Sequence, residues 1–591
     1  MPLNNPNRGA PGDGVLPSWN ERKEVLQKLG MEKKTDVLIV GSGPIGAVYA
    51  RKLVDKGVKV MMIDMGEQRS KRIGEHHKNS VAVQKDISLF TNVIRGGLSP
   101  LSVPVSESNL HLDPISWKSD KPFVLNGQNP NQQRRYNLEA SAATRTVGGM
   151  SSHWTCCTPR QHPLERSKLF EEGEWERLYK EAEGLFETNG AVFDDSVRHR
   201  LVKRSVTGAI AAENLKMGGP KEKRTVKSMP LACKRPHERS PYIEWSCTAT
   251  ILGDLADPDS KKNDLFDMKS EWQCDMLHIN LDENVDGAIV KDLVKNEEWL
   301  VTAKNYVVCA GAILTAGIMA QSLFKSGILI ETHYPALGKY LTEQTMTFCQ
   351  VALKQDLVDE VRDHPENLDT AGSHVIEKAV NEHMIKHKDD PLPFPFSDFD
   401  PQVYIPFSKE CPWHTQIHRD AFGYGEIPAD LDQRLVVDLR WFGYTSENPE
   451  NKVTFDEKRR DGFGMPQPTF HFTLSKEDGE RAHRMMQDMV NISSSLGGFI
   501  PGSEPRYLAP GLALHICGTY RAGKMEKGQT LKDVRKTSVV DRSGRVWGLN
   551  NLYLGGCGII PKGGAANPTL TAACHAIEGA EQILCELGKA K

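Results

Sequence analysis

Asp36-Val-Leu-Ile-Val40, Gly41-Ser-Gly-Pro-Ile-Gly46, Ala47-Val-Tyr-Ala-Arg-Lys-Leu-Val-Asp-Lys-Gly57 and Val58-Lys-Val-Met-Met-Ile63, closed by Asp64, follow one another without a break. A short apolar run, a glycine-rich turn, a helix-like segment and a second apolar run make a strand–turn–helix–strand unit of the length a βαβ unit needs. Gly41-x-Gly43-x-x-Gly46 allows the tight turn and lets a pyrophosphate approach the helix N-terminus. Asp64, eighteen residues past Gly46, stands where a carboxylate can accept hydrogen bonds from a ribose. A dinucleotide is therefore expected here, and this pattern by itself leaves FAD and NAD both open.

Around this unit the chain of 591 residues, with 39% hydrophobic and 26% charged residues, has apolar content for a large core and length for several domain-sized units. Its 74 basic residues against 77 acidic ones leave a net charge of −3. That balance provides no broad basic surface, so nucleic acid is not an expected partner. The first residues, MPLNNPNRGAPGDGVLPSW, contain no apolar stretch of the signal-peptide kind and read as a flexible arm. Asn305 to Phe324 carries no charge, yet it holds two glycines, Thr315, Gln321 and Ser322. It reads as a strand, Tyr306–Cys309, followed by a helix after Gly311, and not as a membrane span. The chain is expected to be soluble, cytoplasmic or exported without a signal peptide, with no membrane partner.

The twelve cysteines are scattered without zinc spacing. His374, His383, His387 and His414 include one pair at i, i+4, His383 and His387, in an otherwise loop-like stretch, so no metal site is expected. Residues from about 354 to 415 are rich in Asp, His and Pro and show no clear period, which reads as loops or an insertion. Asn551 to Leu554 reads as a late strand and Thr569 to Leu587 as a closing helix.

Four segments are similar to the glucose–methanol–choline (GMC) oxidoreductases, a family of FAD enzymes. They are the glycine fingerprint; Tyr306-Val-Val-Cys-Ala-Gly311; Leu514-His-Ile-Cys-Gly-Thr519; and Asn551-Leu-Tyr-Leu-Gly-Gly-Cys-Gly-Ile-Ile-Pro561 with Ala566-Asn-Pro-Thr569. Gly148-Gly-Met-Ser-Ser-His-Trp-Thr155, Asp420-Ala-Phe-Gly-Tyr-Gly425 and Val437-Asp-Leu-Arg-Trp-Phe442 resemble the flavin-attachment, substrate-loop and active-site segments of the family's pyranose-oxidising branch.

The resemblance implies an α/β fold: a discontinuous Rossmann-like FAD-binding domain from residues 35–165, 225–345 and 505–591. A second, substrate-binding domain from residues 166–224 and 346–504 would carry a large sheet flanked by helices, a substrate loop near 416–425 and an insertion near 354–415, with residues 1–34 as the arm. It implies FAD, held by Gly41, Gly43, Gly46, Asp64, Thr155, Ala310 and Gly311 and bound covalently through His153. His515 would be the base that takes the sugar hydroxyl proton, since an imidazole titrates near working pH. Asn567 would hold the substrate oxygen without competing for that proton. Gln416, Asp420, Phe422, Tyr424, Arg440 and Ala513 would meet the sugar. Gly423 and Ala513 depart from the serine and valine of the better-known members, which would alter the site wall.

The expected reaction is oxidation of an aldopyranose, D-glucose first, at its C2 hydroxyl, with oxygen or a quinone taking the electrons. A homotetramer is the expected assembly. A C3-specific sugar or glycoside oxidase, a dehydrogenase, and an inactive flavin-binding homologue remain alternatives.

Overall fold

A computed structural model describes residues 18–104, 128–216, 223–237, 240–260, 264–419, 427–428 and 430–590. The opening stretch forms the centre of a five-stranded parallel sheet. Its order is Phe266–Lys269, Val60–Ile63, Val37–Val40, Asn305–Val308, Leu552–Leu554. Val37–Val40, Val60–Ile63 and Asn305–Val308 are buried at every position. Their unbroken apolar runs match a parallel sheet covered on both faces. The Pro44–Val54 helix crosses from Val37–Val40 to Val60–Ile63 and packs on the closing helix, Thr569–Glu586.

Two glycines make that crossing possible. Gly41 has φ +102°, and a Cβ there would lie 2.5 Å from the Cys309 carbonyl oxygen. A Cβ on Gly46 would lie 2.1 Å from the Gly41 carbonyl oxygen. Side chains at either position would force the helix off the sheet.

A second sheet has the order Glu32–Lys34, Glu297–Thr302, Val285–Asp292, Trp272–Ile279. Here the structure corrects the reading of residues 1–34 as an arm. Trp19–Lys28 is a helix with Ser18 and Glu21 in a capping box, and Glu32–Lys34 is a paired strand. Leu26 is buried against Met276, Ile289 and Leu300, and Trp19 stacks on His278 at 4.2 Å. The helix is mostly polar because it buries one narrow stripe, so its pattern is weak. Residues 1–17 lie outside the described residues.

The third sheet, seven-stranded and antiparallel in its pairings, carries its own core. Along its main path it runs Gly497–Phe499, Thr345–Leu353, Val436–Gly443, Trp413–His418, Gln402–Tyr404, Lys227–Ser228. The Val197–Lys216 and Lys476–Leu496 helices supply apolar residues to that core, among them Val202, Val206, Met485 and Met489. A large sheet flanked by helices is thus the second unit of the α/β fold. The 354–415 stretch is regular where the sequence reads as loops. It contains the helices Gln355–Asp363 and Val375–Lys386 and two sheet strands. Val358 with Val361, and Ile376 with Val380, fill the core at i, i+3 and i, i+4. Two apolar contacts per short helix are too few to stand out from flanking Asp, His and Pro. No helix among the described residues is long and apolar enough to cross a membrane.

Candidate active site

A cavity of about 340 Å³ runs from the carboxyl ends of the parallel strands to the antiparallel sheet. At one end Gly41, Gly43, Asp64, His153, Thr155, Ala310 and Gly311 line it. This is the crevice where open α/β sheets bind ligands. Gly43 caps the Pro44–Val54 helix, and a Cβ built on it meets nothing within 4 Å. The open side of the turn leaves the helix's first-turn N–H groups within reach of a phosphate. Gly46 lies behind the turn and does not line the cavity, so its work is packing alone.

Asp64 is buried and already engaged. Its Oδ2 accepts from the Ser42 backbone N–H at 2.9 Å and from the Ser42 hydroxyl at 2.6 Å, and its Oδ1 accepts from Gly66 N at 2.8 Å. Burial pushes its carboxyl above the ordinary aspartate range despite those bonds. Only Oδ1 keeps a lone pair for a ribose hydroxyl. Ser42 in turn accepts from the Gly148 N–H at 2.9 Å, which ties the glycine turn to the 148–155 segment.

His153 follows a short 3-10 turn, Gly149–Ser152, whose preceding Gly148 has φ +96° and approaches Gly74 closely. The imidazole is buried, with Nε2 2.8 Å from the Thr144 hydroxyl. Burial, then the charge of His77, brings its pKa down to about 4. It is a neutral imidazole at physiological pH.

Gln416, Arg440, Ala513, His515 and Asn567 line the other end, so the structure brings these sequence candidates together. Gln416 and Arg440 are directly paired across neighbouring strands, Trp413–His418 and Val436–Gly443. Asn567 Nδ2 donates to His515 Nε2 at 3.1 Å, and Gln416 Nε2 donates to Asn567 Oδ1 at 2.8 Å. Leu514, before His515, has φ +58°, a strained conformation for a leucine that turns the imidazole onto the cavity. Asp420, Phe422, Tyr424 and Gly423 lie outside the described residues.

The structure adds partners that the sequence reading lacks. His515 Nδ1 is 2.6 Å from Gln344 Oε1, and the His515 backbone N–H donates to the Glu343 carboxyl at 3.1 and 3.2 Å. Phe442 stands 5.7 Å from the His515 ring, centroid to centroid. His414 is buried behind Gln416, with ring Nε2 3.4 Å from Gln416 Nε2. Burial lowers both His515 and His414 to about 3, and it pushes Glu343 up to about 8. Glu343 and Gln344 precede an ordinary buried strand, so no local pattern marks them. His414 is visible only as a histidine on a strand. No group of three or more metal-ligating side chains occurs among the described residues.

A chain with this cavity has known relatives. A pyranose 2-oxidase from Emericella nidulans is 45% identical, covering 94% of this chain and 93% of its own length. Residues 447–576 match the family described as GMC oxidoreductase, and residues 34–93 match the family described as FAD binding domain. The chain belongs to the GMC oxidoreductases. It is an FAD-dependent oxidoreductase acting on CH–OH groups.

A pyranose 2-oxidase from Lyophyllum shimeji is 40% identical over 93% of this chain and 91% of its own. A C-glycoside 3-oxidase from Arthrobacter globiformis is 28% identical over 94% of this chain and 96% of its own. Among solved structures, formate oxidase superposes with a TM-score of 0.60 at 13% identity, covering 95% of this chain and 100% of that one. Such a likeness in this GMC oxidoreductase concerns the fold alone.

Proposed function

We propose that this chain oxidises an aldopyranose, with D-glucose as first candidate, at the C2 secondary alcohol to a 2-keto sugar, and that molecular oxygen is reduced to hydrogen peroxide. The observation that carries this reading is the His515–Asn567–Gln416 chain of hydrogen bonds opening, beside Arg440, on the cavity that also holds the glycine turn. The pyranose 2-oxidase relatives point the same way. Bound FAD supplies the two-electron acceptor for the hydride that leaves the carbinol carbon.

The protein's own part is positioning and proton removal. His515 is neutral because burial holds its pKa near 3, and its Nε2 lone pair, which accepts from Asn567 Nδ2 here, takes the hydroxyl proton once the sugar oxygen displaces that amide. Asn567 carries no titrating group, so it orients the oxygen without taking the proton. Gln416 spends its Nε2 on Asn567, which leaves its Oε1 to accept from a neighbouring sugar hydroxyl. Arg440 brings donors to the same wall.

His153 fits covalent attachment of the flavin, since a buried neutral imidazole at the cavity wall is a nucleophile. His153→Ala is expected to release the flavin on acid denaturation; flavin still bound to the precipitated chain removes the assignment. The homotetramer is proposed from the sequence resemblance, and sedimentation velocity at four times 65.8 kDa checks it.

The decisive experiment is anaerobic bleaching of the flavin band by glucose, followed by air. Recolouring with peroxide formation supports the oxidase, and bleaching without recolouring in air points to a quinone acceptor. Ala513 in the cavity wall and the C-glycoside 3-oxidase relative favour C3 oxidation as a second reading. Carbon-13 NMR of the product separates C2 from C3.

A further inference from the structure

The hydrogen bonds around His515 have a direction. Gln344 Nε2 donates to the carbonyl oxygens of Gly564 at 2.7 Å and Ala566 at 3.0 Å. Carbonyls only accept, so the amide cannot be turned round, and the atom 2.6 Å from His515 Nδ1 is an oxygen. An oxygen of a carboxamide only accepts as well. Nδ1 must then carry the ring hydrogen, and Nε2 must carry the lone pair. The other side follows from this: with the hydrogen on Nδ1, Nε2 accepts from Asn567 Nδ2, and the Asn567 Oδ1 then receives Gln416 Nε2. Gln416 Nε2 has a second acceptor at longer range in His414 Nε2, at 3.4 Å. Every donor points the same way, from Gln416 through Asn567 and His515 to Gln344, and the last acceptor, Ala566, is the chain neighbour of Asn567.

We infer that Gln344 is a positioning residue for this reaction, locking His515 in the Nδ1–H tautomer with its Nε2 lone pair facing the cavity. This rests on the proposed role of His515 as the base. The lock matters because the wrong tautomer would present a hydrogen to the sugar hydroxyl where a lone pair is needed. Gln344 is almost fully buried and does not line the cavity, so it acts only through the imidazole. Once Nε2 has taken a proton, Gln344 Oε1 also receives the Nδ1–H of an imidazolium, a stronger bond than to the neutral ring. The ionisable groups facing His515 are few. Glu343 holds its backbone N–H, the Cys517 thiol donates to its carbonyl oxygen at 3.3 Å, His414 stands behind Gln416, and Arg440 lies across the strand pair. None of the four touches Nδ1.

The test uses the intact flavoprotein labelled with ¹⁵N in its imidazole rings, with the His515 signals assigned by their loss in His515→Gln. Magic-angle-spinning NMR is expected to show His515 protonated at Nδ1 in the wild type and distributed between tautomers in Gln344→Met. A wild-type His515 protonated at Nε2 overturns the inference. This readout needs no sugar, so it stands even if no pyranose bleaches the flavin, the outcome that would sink the proposed function instead.

With a reducing sugar substrate in hand, Gln344→Met is expected to slow flavin bleaching by about ten- to a hundredfold, as loss of an orienting partner does. Gln344→Glu keeps the acceptor. Its second oxygen faces the Gly564 and Ala566 carbonyls and must be protonated to bond them, so the variant is expected to recover most of the rate at low pH and to lose it as the carboxyl ionises against those carbonyls. A Gln344→Met enzyme with wild-type rate, pH profile and tautomer refutes the assignment. A Gln344→Glu enzyme whose pH profile is unchanged also counts against it.

Discussion

Gly43 and Gly46 stand three residues apart in one turn, and the structure gives them different work. Gly43 caps the helix at φ −61°, which any residue adopts, and a Cβ there enters open space on the cavity side. Alanine at an N-cap costs up to about 1 kcal/mol relative to glycine, and reduced freedom of the unfolded chain offsets part of that. The apo-protein should therefore lose less than about 1 kcal/mol in Gly43→Ala. The added methyl lies where a phosphate must approach the helix N-terminus. Losing one charge-assisted hydrogen bond there, worth about 1.5–3 kcal/mol, weakens FAD binding about ten- to a hundredfold. Gly46→Ala reverses the pattern. Its Cβ would sit 2.1 Å from a backbone oxygen, so the helix must shift and apo-stability falls by about 1–3 kcal/mol or more. The assay compares the two variants in a His153→Ala background, where FAD exchanges freely, by fluorescence titration of apo-protein and by urea unfolding. A Gly43→Ala protein that holds FAD as tightly as its parent, or unfolds as readily as Gly46→Ala, refutes this division of labour.

Three further outcomes are expected. His515→Ala should slow sugar-dependent flavin bleaching in stopped flow by at least about a hundredfold with the flavin spectrum intact; near-normal bleaching means another base. Asp488 receives both indole N–H groups of Trp413 and Trp441 at 2.7 Å on Oδ2 and pairs with buried Arg224. Asp488→Ala leaves that guanidinium with Glu213 alone and both indole N–H groups without their acceptor, so urea unfolding should show a loss of about 3–5 kcal/mol, and a loss under 1 kcal/mol means the ion network is dispensable. The Glu343 carboxyl titrates near 8 in the folded chain against an ordinary 4.5. It stays neutral while the unfolded group ionises, so its contribution to stability is full below about 4.5 and declines as pH rises to about 8. Between pH 5 and 8 the wild type should lose on the order of a few kcal/mol that Glu343→Gln keeps, and parallel urea midpoints for the two proteins across that range would exclude the shift.

The dinucleotide end of the cavity was legible because its determinants are local. A glycine turn, the strand before it and the acid after it are set by steric rules that act within thirty residues or so. His515 and Asn567 were legible through the motifs they sit in. Their support was not. Gln344 reaches His515 only because the Thr345–Leu353 strand begins beneath the loop that carries it, and nothing in the Glu343-Gln344 pair announces that. The helix at Trp19–Lys28 was hidden for another reason: a helix that covers one edge of a small sheet needs few apolar residues, and Leu26 is its one fully buried side chain. Ile376 and Val380 show the same limit inside the 354–415 stretch. Long-range contacts decide these elements, and short-range periodicity decides the others.

The one-way run of hydrogen bonds through His515 makes one more demand on the protein. Hydrogen bonds that all run one way polarise each other, so removing a link on one side of the imidazole weakens the link on the other. Gln344 and Gln416 share no hydrogen bond, yet each fixes the same imidazole, one directly and one through Asn567. Independent sites add within about 0.3–0.5 kcal/mol, while members of one network couple by about 0.5–3 kcal/mol. Gln344→Met and Gln416→Met should each slow flavin bleaching, and the double variant should be much faster than the product of the two effects predicts. Gln344→Met frees the ring and Gln416→Met frees the Asn567 amide, so each loosens the same Asn567–His515 contact and the second has less left to disturb. Strict multiplication of the two rate losses, measured in stopped flow with one sugar at saturating concentration, would show that the two amides act independently and that the one-way run is only geometry.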